Sequence, residues 1–410
     1  MEGNSIKEAK IPELLSPAGD WPSLKAAVES GADSVYFGVK ALNMRANADN
    51  FDVSELNKIT EYLRSKNKRG YLSINSIILD HEIQKAEKIL KAAKASAIDA
   101  VILWDMAAFS LAKEMGIPIH LSTQASVSNI KALEEFHKLG AKRVILAREC
   151  TLSDLRRITK GVREKGLDCE IETFIHGAMC VSISGRCFLS LYSHGKSANK
   201  GECVQPCRRE YTVTDKEGEM EFLLGENYVL SPKDLCAVDF IDDLIGLGID
   251  SFKIEGRMRS AEYAKVVTSV YREAIDSHFQ RELDEKKKTA LKERLASVYN
   301  RGFSSGFYFG PPQGANSLKL GHTHQKIFLG EVTRFFKKIK VAEIKLKTGG
   351  LSVGDELLFI GKGTPAESLV VKEMQIKKRF IDRAQKGEAI GLKVPFNLSP
   401  RDKVFLWVKR

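Results

Sequence analysis

Five cysteines fall between positions 180 and 236: Cys180, Cys187, Cys203, Cys207 and Cys236. The first four read C-x6-C-x15-C-x3-C. Thiolates this close on one loop repel each other unless a cation holds them. Soft sulfur ligands select zinc, copper(I) or iron–sulfur clusters. Zinc modules favour a C-x2-4-C pair in each half, and only Cys203 and Cys207 meet that spacing. A radical-SAM motif fails because Glu210 stands where its third cysteine belongs. Irregular spacing suits an iron–sulfur cluster held by four cysteines, since closing loops of different length costs little. Cys236, which follows Ser231-Pro-Lys-Asp-Leu, is an alternative fourth ligand in place of Cys203 or Cys207. Cys150 and Cys169, at the ends of apolar runs, read as small buried hydrophobes.

The elements that must position this loop repeat one rhythm over the first 280 residues. A short apolar run precedes an amphipathic segment. The runs are Glu13–Ser16, Ser34–Gly38, Arg69–Asn75, Ala100–Trp104, Pro118–Ser122, Arg143–Ala147, Cys169–Phe174 and Ser251–Glu255. Between them, stretches such as Ile83–Lys94 and Ile130–Leu139 space apolar residues by three and four. Eight such units predict an α/β fold, a (β/α)8 TIM-like barrel. An open doubly wound sheet is the rival, but the first strand ends Ser16-Pro-Ala-Gly-Asp20 rather than in GxGxxG. The rhythm breaks between Phe174 and Lys233, where the cysteines lie. Glu210–Leu230 alternates like a hairpin. A long loop after the seventh strand opens at the C-terminal face, where such barrels build active sites. The predicted domains are a barrel over 1–280 with a Cys-rich insertion at 175–232, a helical and Gly/aromatic connector over 281–325, and a unit over 326–410. In that last unit six short runs of period two predict a small closed β-barrel.

The chain has 410 residues, 43% hydrophobic and 29% charged, which excludes disordered, collagenous and coiled-coil classes. Its formal net charge is +11, and the excess is localised. From Lys326 to Arg410 there are 19 Lys and Arg against 9 Asp and Glu. The rest of the chain is nearly neutral. A small domain with this excess points to a polyanion, nucleic acid before membrane. Lys337, Lys338 and Lys340 lie near Phe335 and Phe336; Lys377, Lys378 and Arg379 adjoin Phe380. Cations beside aromatics suit phosphate contact with stacking on unpaired bases. Removing the chain from Lys326 onward is expected to abolish most salt-dependent RNA binding and leave iron content intact. The opening MEGNSIKEAKIPELL lacks an apolar signal core, and no run is long enough to span a membrane. The expected compartment is the cytoplasm, where the seven cysteines stay reduced.

The segments Glu172-Thr-Phe-Ile-His-Gly-Ala-Met-Cys180, Ser184-Gly-Arg-Cys187-Phe-Leu-Ser and Gly201-Glu-Cys203-Val-Gln-Pro-Cys207-Arg resemble the collagenase-like peptidases of unassigned catalytic type. So do Glu13-Leu-Leu-Ser-Pro-Ala-Gly-Asp and Phe252-Lys-Ile-Glu-Gly-Arg257. The resemblance spans essentially the whole chain. With its C-terminal barrel, the chain is most similar to the tRNA-hydroxylating branch of that family. Leu351-Ser-Val-Gly-Asp355 also resembles a turn of elongation-factor barrels. The resemblance implies a 4Fe–4S protein held by Cys180, Cys187, Cys203 and Cys207. It also implies prephenate as co-substrate and conversion of a wobble uridine of tRNA to 5-hydroxyuridine. Other branches hydroxylate ribosomal RNA or ubiquinone precursors.

A dicarboxylate such as prephenate calls for Arg, Lys or His at its site. Candidates at strand ends for holding it are Arg45, Asn75, His120, Gln124, Arg148 and Arg257. Candidates for the chemistry are Glu172, His176, Arg186, Lys253 and Glu255. Glu172 and Glu255 read equally as structural partners of Lys253, Arg257 or Arg148, because a carboxylate on a barrel strand must be paired. The family name implies a peptidase as the alternative. No HExxH and no G-x-S-x-G supports that chemistry. A non-catalytic RNA-binding or assembly factor is the third reading.

Overall fold

The computed structural model describes residues 10–209, 211–214, 221–224, 231–311 and 321–410. Short runs rich in Val, Ile, Leu and Phe form eight parallel strands: β1 Glu13–Pro17, β2 Ser34–Gly38, β3 Arg69–Ser73, β4 Ala100–Leu103, β5 Ile119–Leu121, β6 Ala141–Ile145, β7 Glu170–Gly177 and β8 Ser251–Ile254. Each pairs with the next, and β8 pairs with both β7 and β1, which closes the barrel. These are the eight expected strands, displaced by at most a few residues at their ends. They are nearly continuous apolar runs because one face meets the barrel interior and the other the helices.

The outer layer holds α1 Trp21–Glu29, α2 Leu56–Ser65, α3 Ile83–Ala95, α4 Met106–Glu114, α5 Ile130–Leu139 and α6 Leu152–Glu164. Local chemistry sets their starts. The Asp20 carboxylate accepts the Ser23 amide at 2.8 Å, and Thr151 and Asp154 cap α6 reciprocally. Among the described residues between β7 and Lys233 the one α-helix is the six-residue α7 Leu189–His194. Tyr211–Thr214 and Glu221–Leu224 pair antiparallel. The remainder of the alternating stretch 210–230 lies outside the described residues. The outer layer resumes with α8 Ile241–Gly246, α9 Ala261–Phe279 and α10 Glu285–Ala296.

The C-terminal unit consists of β9 His324–Phe336, β10 Val341–Leu346, β11 Glu356–Gly361, β12 Thr364–Val370, β13 Met374–Ile376, β14 Arg379–Ile381, β15 Ala389–Lys393 and β16 Lys403–Lys409. They form an antiparallel sheet in the order β12-β11-β16-β9-β10-β15-β13-β14. The sheet curls around Leu329, Ile344, Leu357, Phe359 and Val404. Among the described residues its edge strands β12 and β14 do not pair, so it is a half-barrel and not the closed barrel expected. The reason is that β12 is covered elsewhere. Leu358 and Ala366 pack against Ala26, Ala261 and Ala264 of α1 and α9, and Lys265 meets Glu367 at 2.9 Å. Covering an edge removes the need to close it. Removing residues from Lys326 onward would therefore uncover part of the first barrel's apolar surface.

The lower half of the first barrel is filled by charge. Arg143 is 1% exposed. Its Nη1 donates to Glu13 at 3.0 Å and Glu172 at 3.1 Å, and its Nε donates to Glu170 at 2.7 Å. Glu172 also accepts from Lys253 Nζ at 2.8 Å and Ser251 at 3.1 Å. Burial opposes the Arg143 charge, but Glu13 and Glu172 hold its pKa above the ordinary arginine value. Arg143, Ser34 and Arg69 in turn hold Glu13 below the usual carboxylate range against its own burial. Removing one partner of such a group strands the others. Arg143→Met is expected to lower the unfolding free energy by about 3–5 kcal/mol, as read from urea unfolding; an unchanged midpoint would contradict this account.

Candidate active site

At the C-terminal ends of the strands lies a cavity of about 480 Å³. Cys180, Cys187, Cys203 and Cys207 all line it, with Arg45, Asn75, Gln124, Arg148, Lys253, Glu255 and Arg257. Two glycines bring the cysteine loop to it. Gly177 ends β7 at φ +109°, and a side chain there would meet the Glu255 carbonyl at 2.6 Å. Gly201, at φ +84°, approaches the Asn43 carbonyl so closely that a Cβ would stand 2.1 Å from it. The loop is also tied down by polar contacts. Ala46 N donates to Gly201 O at 3.0 Å, Lys200 pairs with Glu82, and Arg208 donates to Met179 O, Ser231 and Pro232 O.

The four thiols share one environment. None is in a disulfide. Cys187 Sγ accepts the Leu189 amide at 3.3 Å, and Cys203 Sγ accepts the Gln205 amide at 3.4 Å. Burial pushes the Cys207 thiol up, and the negative charge of Cys180, Cys203 and Cys187 adds to this against Arg208. Among the described residues no three His, Cys, Asp or Glu side chains stand close enough to grip a single ion. A four-iron cluster spreads its thiolates around a body several ångström wide, and amide bonds to sulfur are a usual feature of such sites. Four thiols lining one cavity are a donor set that an iron–sulfur cluster can use. Cys236 is not part of this set. It is buried beside β7, paired in register with His176, and accepts from Tyr271 Oη at 3.8 Å.

Beside the thiols stands Glu255. Its Oε1 accepts from Arg45 Nη2 at 2.9 Å and Nε at 3.3 Å; its Oε2 accepts from Arg148 Nη2 at 2.7 Å. Burial would raise this carboxyl, but Arg45, Arg148 and Arg257 outweigh it and hold it at about 2. Arg257 itself is lowered to about 10 by burial and by Arg45. Arg148 lies over the Phe174 ring at 3.9 Å, and its Nε has no partner among the described residues. Lys253 links floor to cavity: it pairs with Glu172 below and lies 4.3 Å over the Tyr36 ring. Asn75 holds the Met44 amide at 3.1 Å and reaches Gln124 at 3.5 Å.

Several predicted residues lie elsewhere. Glu172 sits below the cavity, inside the Arg143 network, so its place is structural. His120 is also beneath the cavity, edge-on to Tyr71 at 4.5 Å, and its pKa is pushed well down by burial and by Arg143. Simple alternation along β7 puts Glu172, Phe174 and His176 on one face. An irregularity in register between Lys253 and Ile254 breaks it, and His176 turns outward to Tyr271, Tyr263 and Phe303. Burial lowers its pKa to about 3. Arg186 is exposed on the outer rim, donating to Ser126 Oγ at 3.0 Å. The basic candidates occupy two hairpin turns. Lys337, Lys338 and Lys340 lie between β9 and β10, with Lys340 bonded to Asn397 at 2.8 Å. Lys377 and Lys378 join β13 to β14, which begins at Arg379. Phe380 is exposed, whereas Phe335 packs on the half-barrel core.

Sequence reasoning missed Arg208, Arg259, Arg301 and Tyr299, which also line the cavity. Arg259 stacks over Tyr299 at 4.2 Å, and Arg301 reaches Asp234 at 3.7 Å. The signal was present: Arg208 adjoins Cys207, and Arg259 follows Arg257 by two. Residues 19–317 match the model for peptidase family U32. The chain belongs to peptidase family U32. Similar U32 relatives include an uncharacterized protease of Methanocaldococcus jannaschii, 42% identical over 96% of this chain and 98% of that one. A collagenase of Porphyromonas gingivalis is 40% identical over 97% and 98%. The tRNA hydroxylation protein P1 of Bacillus subtilis is 34% identical over 86% and 84%. Among the described residues of this U32 chain no helix is long and apolar enough to cross a membrane.

The Glu255 contacts carry a pH signature. Its folded value of about 2 lies below the ordinary 4.5. The stabilisation is therefore complete above pH 4.5 and fades as pH falls through about 2. Glu255→Gln is expected to destabilise the protein at pH 7 by up to about 3 kcal/mol. The gap between the two proteins should narrow from pH 5 towards 2; a gap independent of pH would contradict the assignment.

Proposed function

We propose that the protein is an iron–sulfur enzyme that hydroxylates tRNA, converting a wobble uridine to 5-hydroxyuridine with prephenate as co-substrate. The observation that carries this reading is the meeting of four thiols and several guanidiniums in one cavity. Cys180, Cys187, Cys203 and Cys207 would hold a 4Fe–4S cluster. When bound, the cluster supplies a site able to bind or polarise an oxygen-bearing group. Arg148 and Arg257 would receive the carboxylates of the co-substrate, since planar guanidiniums take carboxylates through paired hydrogen bonds. Lys253 has a pKa lowered by burial and partly restored by Glu172, and it would orient the co-substrate or the uridine from the cavity floor. The basic turns of the half-barrel would grip the tRNA backbone. The likeness to a tRNA hydroxylation protein supports the reaction class.

A peptidase is the second reading, favoured by the names of two relatives. A cysteine nucleophile needs a base beside it. Among the described residues no histidine lines the cavity, and His120 and His176 face away from the thiols. The four-thiol cavity supports the first reading over this one.

Anaerobically purified protein is expected to be brown, with about four iron per chain. Cys180→Ser and Cys207→Ser should lose that iron, whereas Cys236→Ser should keep it. A colourless wild type, or iron loss on changing Cys236 alone, would overturn the ligand assignment. Mass analysis of tRNA from a deletion strain should show loss of the wobble modification, restored by the wild-type gene. Unchanged uridines, together with cleavage of gelatin that depends on Cys180, would establish the peptidase instead.

A further inference from the structure

The cysteine insertion has two sides. One faces the cavity, and Leu189 and Ser190 of α7 line it. The other faces outward and is unusually apolar: Tyr192 is 85% exposed, Ile183 65% and Phe188 59%. The Phe188 and Tyr192 ring centroids are 6.2 Å apart and tilted by 56°. Large apolar side chains clustered on a surface mark a contact site. The segment from Cys180 to Arg209 also holds five Lys and Arg against one acidic residue, Glu202; Lys200 is paired with Glu82 and Arg208 lines the cavity, which leaves Arg186, Lys196 and Arg209 exposed. The first barrel is nearly neutral as a whole, yet this rim is locally basic. Arg186 stands on it, over the Trp104 ring at 5.7 Å.

We propose that Phe188 and Tyr192 form a stacking platform for unpaired RNA bases at the cavity mouth, with Arg186 meeting the adjoining phosphate. The inference rests on the reading above, that an RNA base enters the cavity. A base drawn out of its stack leaves neighbours without partners. Aromatic side chains beside a basic groove replace that stacking and accept any base, because every base has a π face. The charge sign excludes a basic partner. The paired rings favour nucleotides over an acidic protein, whose apolar residues would be served equally by leucines. Arg186 is thus a positioning residue outside the cavity.

The test uses the cluster-loaded, full-length protein and a fluorescent anticodon stem-loop, with affinity read by anisotropy across a salt series. The variant Phe188→Ala/Tyr192→Ala is expected to bind about tenfold weaker or worse. Its iron content, melting temperature and salt slope should match the wild type. Lys377→Glu/Lys378→Glu should instead flatten the salt slope. Phe188→Tyr/Tyr192→Trp should retain affinity, and Phe188→Leu/Tyr192→Leu should not. Wild-type affinity in the alanine pair, or full rescue by the leucine pair, would overturn the platform while leaving tRNA hydroxylation standing. A wild type with no affinity for the stem-loop, and unchanged tRNA in the deletion strain, would overturn both.

Discussion

A charge removed from water must find its counter-charge, and that constraint organises this barrel from the floor upward. Arg143 cannot sit at 1% exposure without carboxylates on several sides. Glu13 from β1 and Glu170 and Glu172 from β7 supply them. The network therefore joins β1, β6 and β7 across the barrel interior. Glu172 then needs a cation on its other oxygen, and Lys253 of β8 fills it. Lys253 reaches the cavity floor because of what lies beneath it. Arg45, Arg148 and Glu255 repeat the same logic one layer higher. Buried ion networks of this kind give little net stability. They fix which side chain points where, which is what a site at the strand ends requires.

The upper layer adds charge faster than it neutralises it. Arg45, Arg148 and Arg257 face Glu255 on one wall. Arg208, Arg259 and Arg301 also line the cavity, and Arg259 and Arg301 share Asp234. The excess shows in Arg257 and Arg301, both lowered first by burial and then by a neighbouring guanidinium. Such a cavity concentrates guanidiniums around the four cysteines. It also retains cationic groups for an anionic reactant.

What was legible in the sequence follows from the range of each signal. Strand and helix positions are local, set by runs such as Val101–Leu103 and by caps such as Asp20, and they were read nearly to the residue. The cysteine loop was legible because clustered thiols are rare and a long loop stands out in a regular rhythm. His176 was misplaced because strand alternation assumes an unbroken register, and an irregularity in pairing with β8 is invisible in β7 alone. The closed C-terminal barrel was misread for a related reason. Six alternating runs show strands, but whether an edge pairs or is covered depends on α1 and α9, far away along the chain. The charge count failed by averaging: a near-neutral barrel concealed a basic rim around Arg186.

Under the proposed reading, the two basic hairpin turns would divide the labour with that rim. Lys377 and Lys378 adopt φ of 48° and 66°, the left-handed region where a two-residue hairpin turn usually places Asn and Gly. Holding two non-glycine residues there costs about 1–2 kcal/mol each. The fold tolerates that cost at an exposed tip, where Asn-Gly would remove it. What the lysines add is two cations beside Arg379 and an exposed Phe380. Phosphate contacts set position and affinity without reading sequence, whereas contacts to unpaired bases discriminate. Under the proposed reading, the half-barrel supplies the first and the cysteine rim the second. The packing of β12 on α1 and α9 fixes the distance between them. Under that same reading, an RNA held at both places would have to match that spacing.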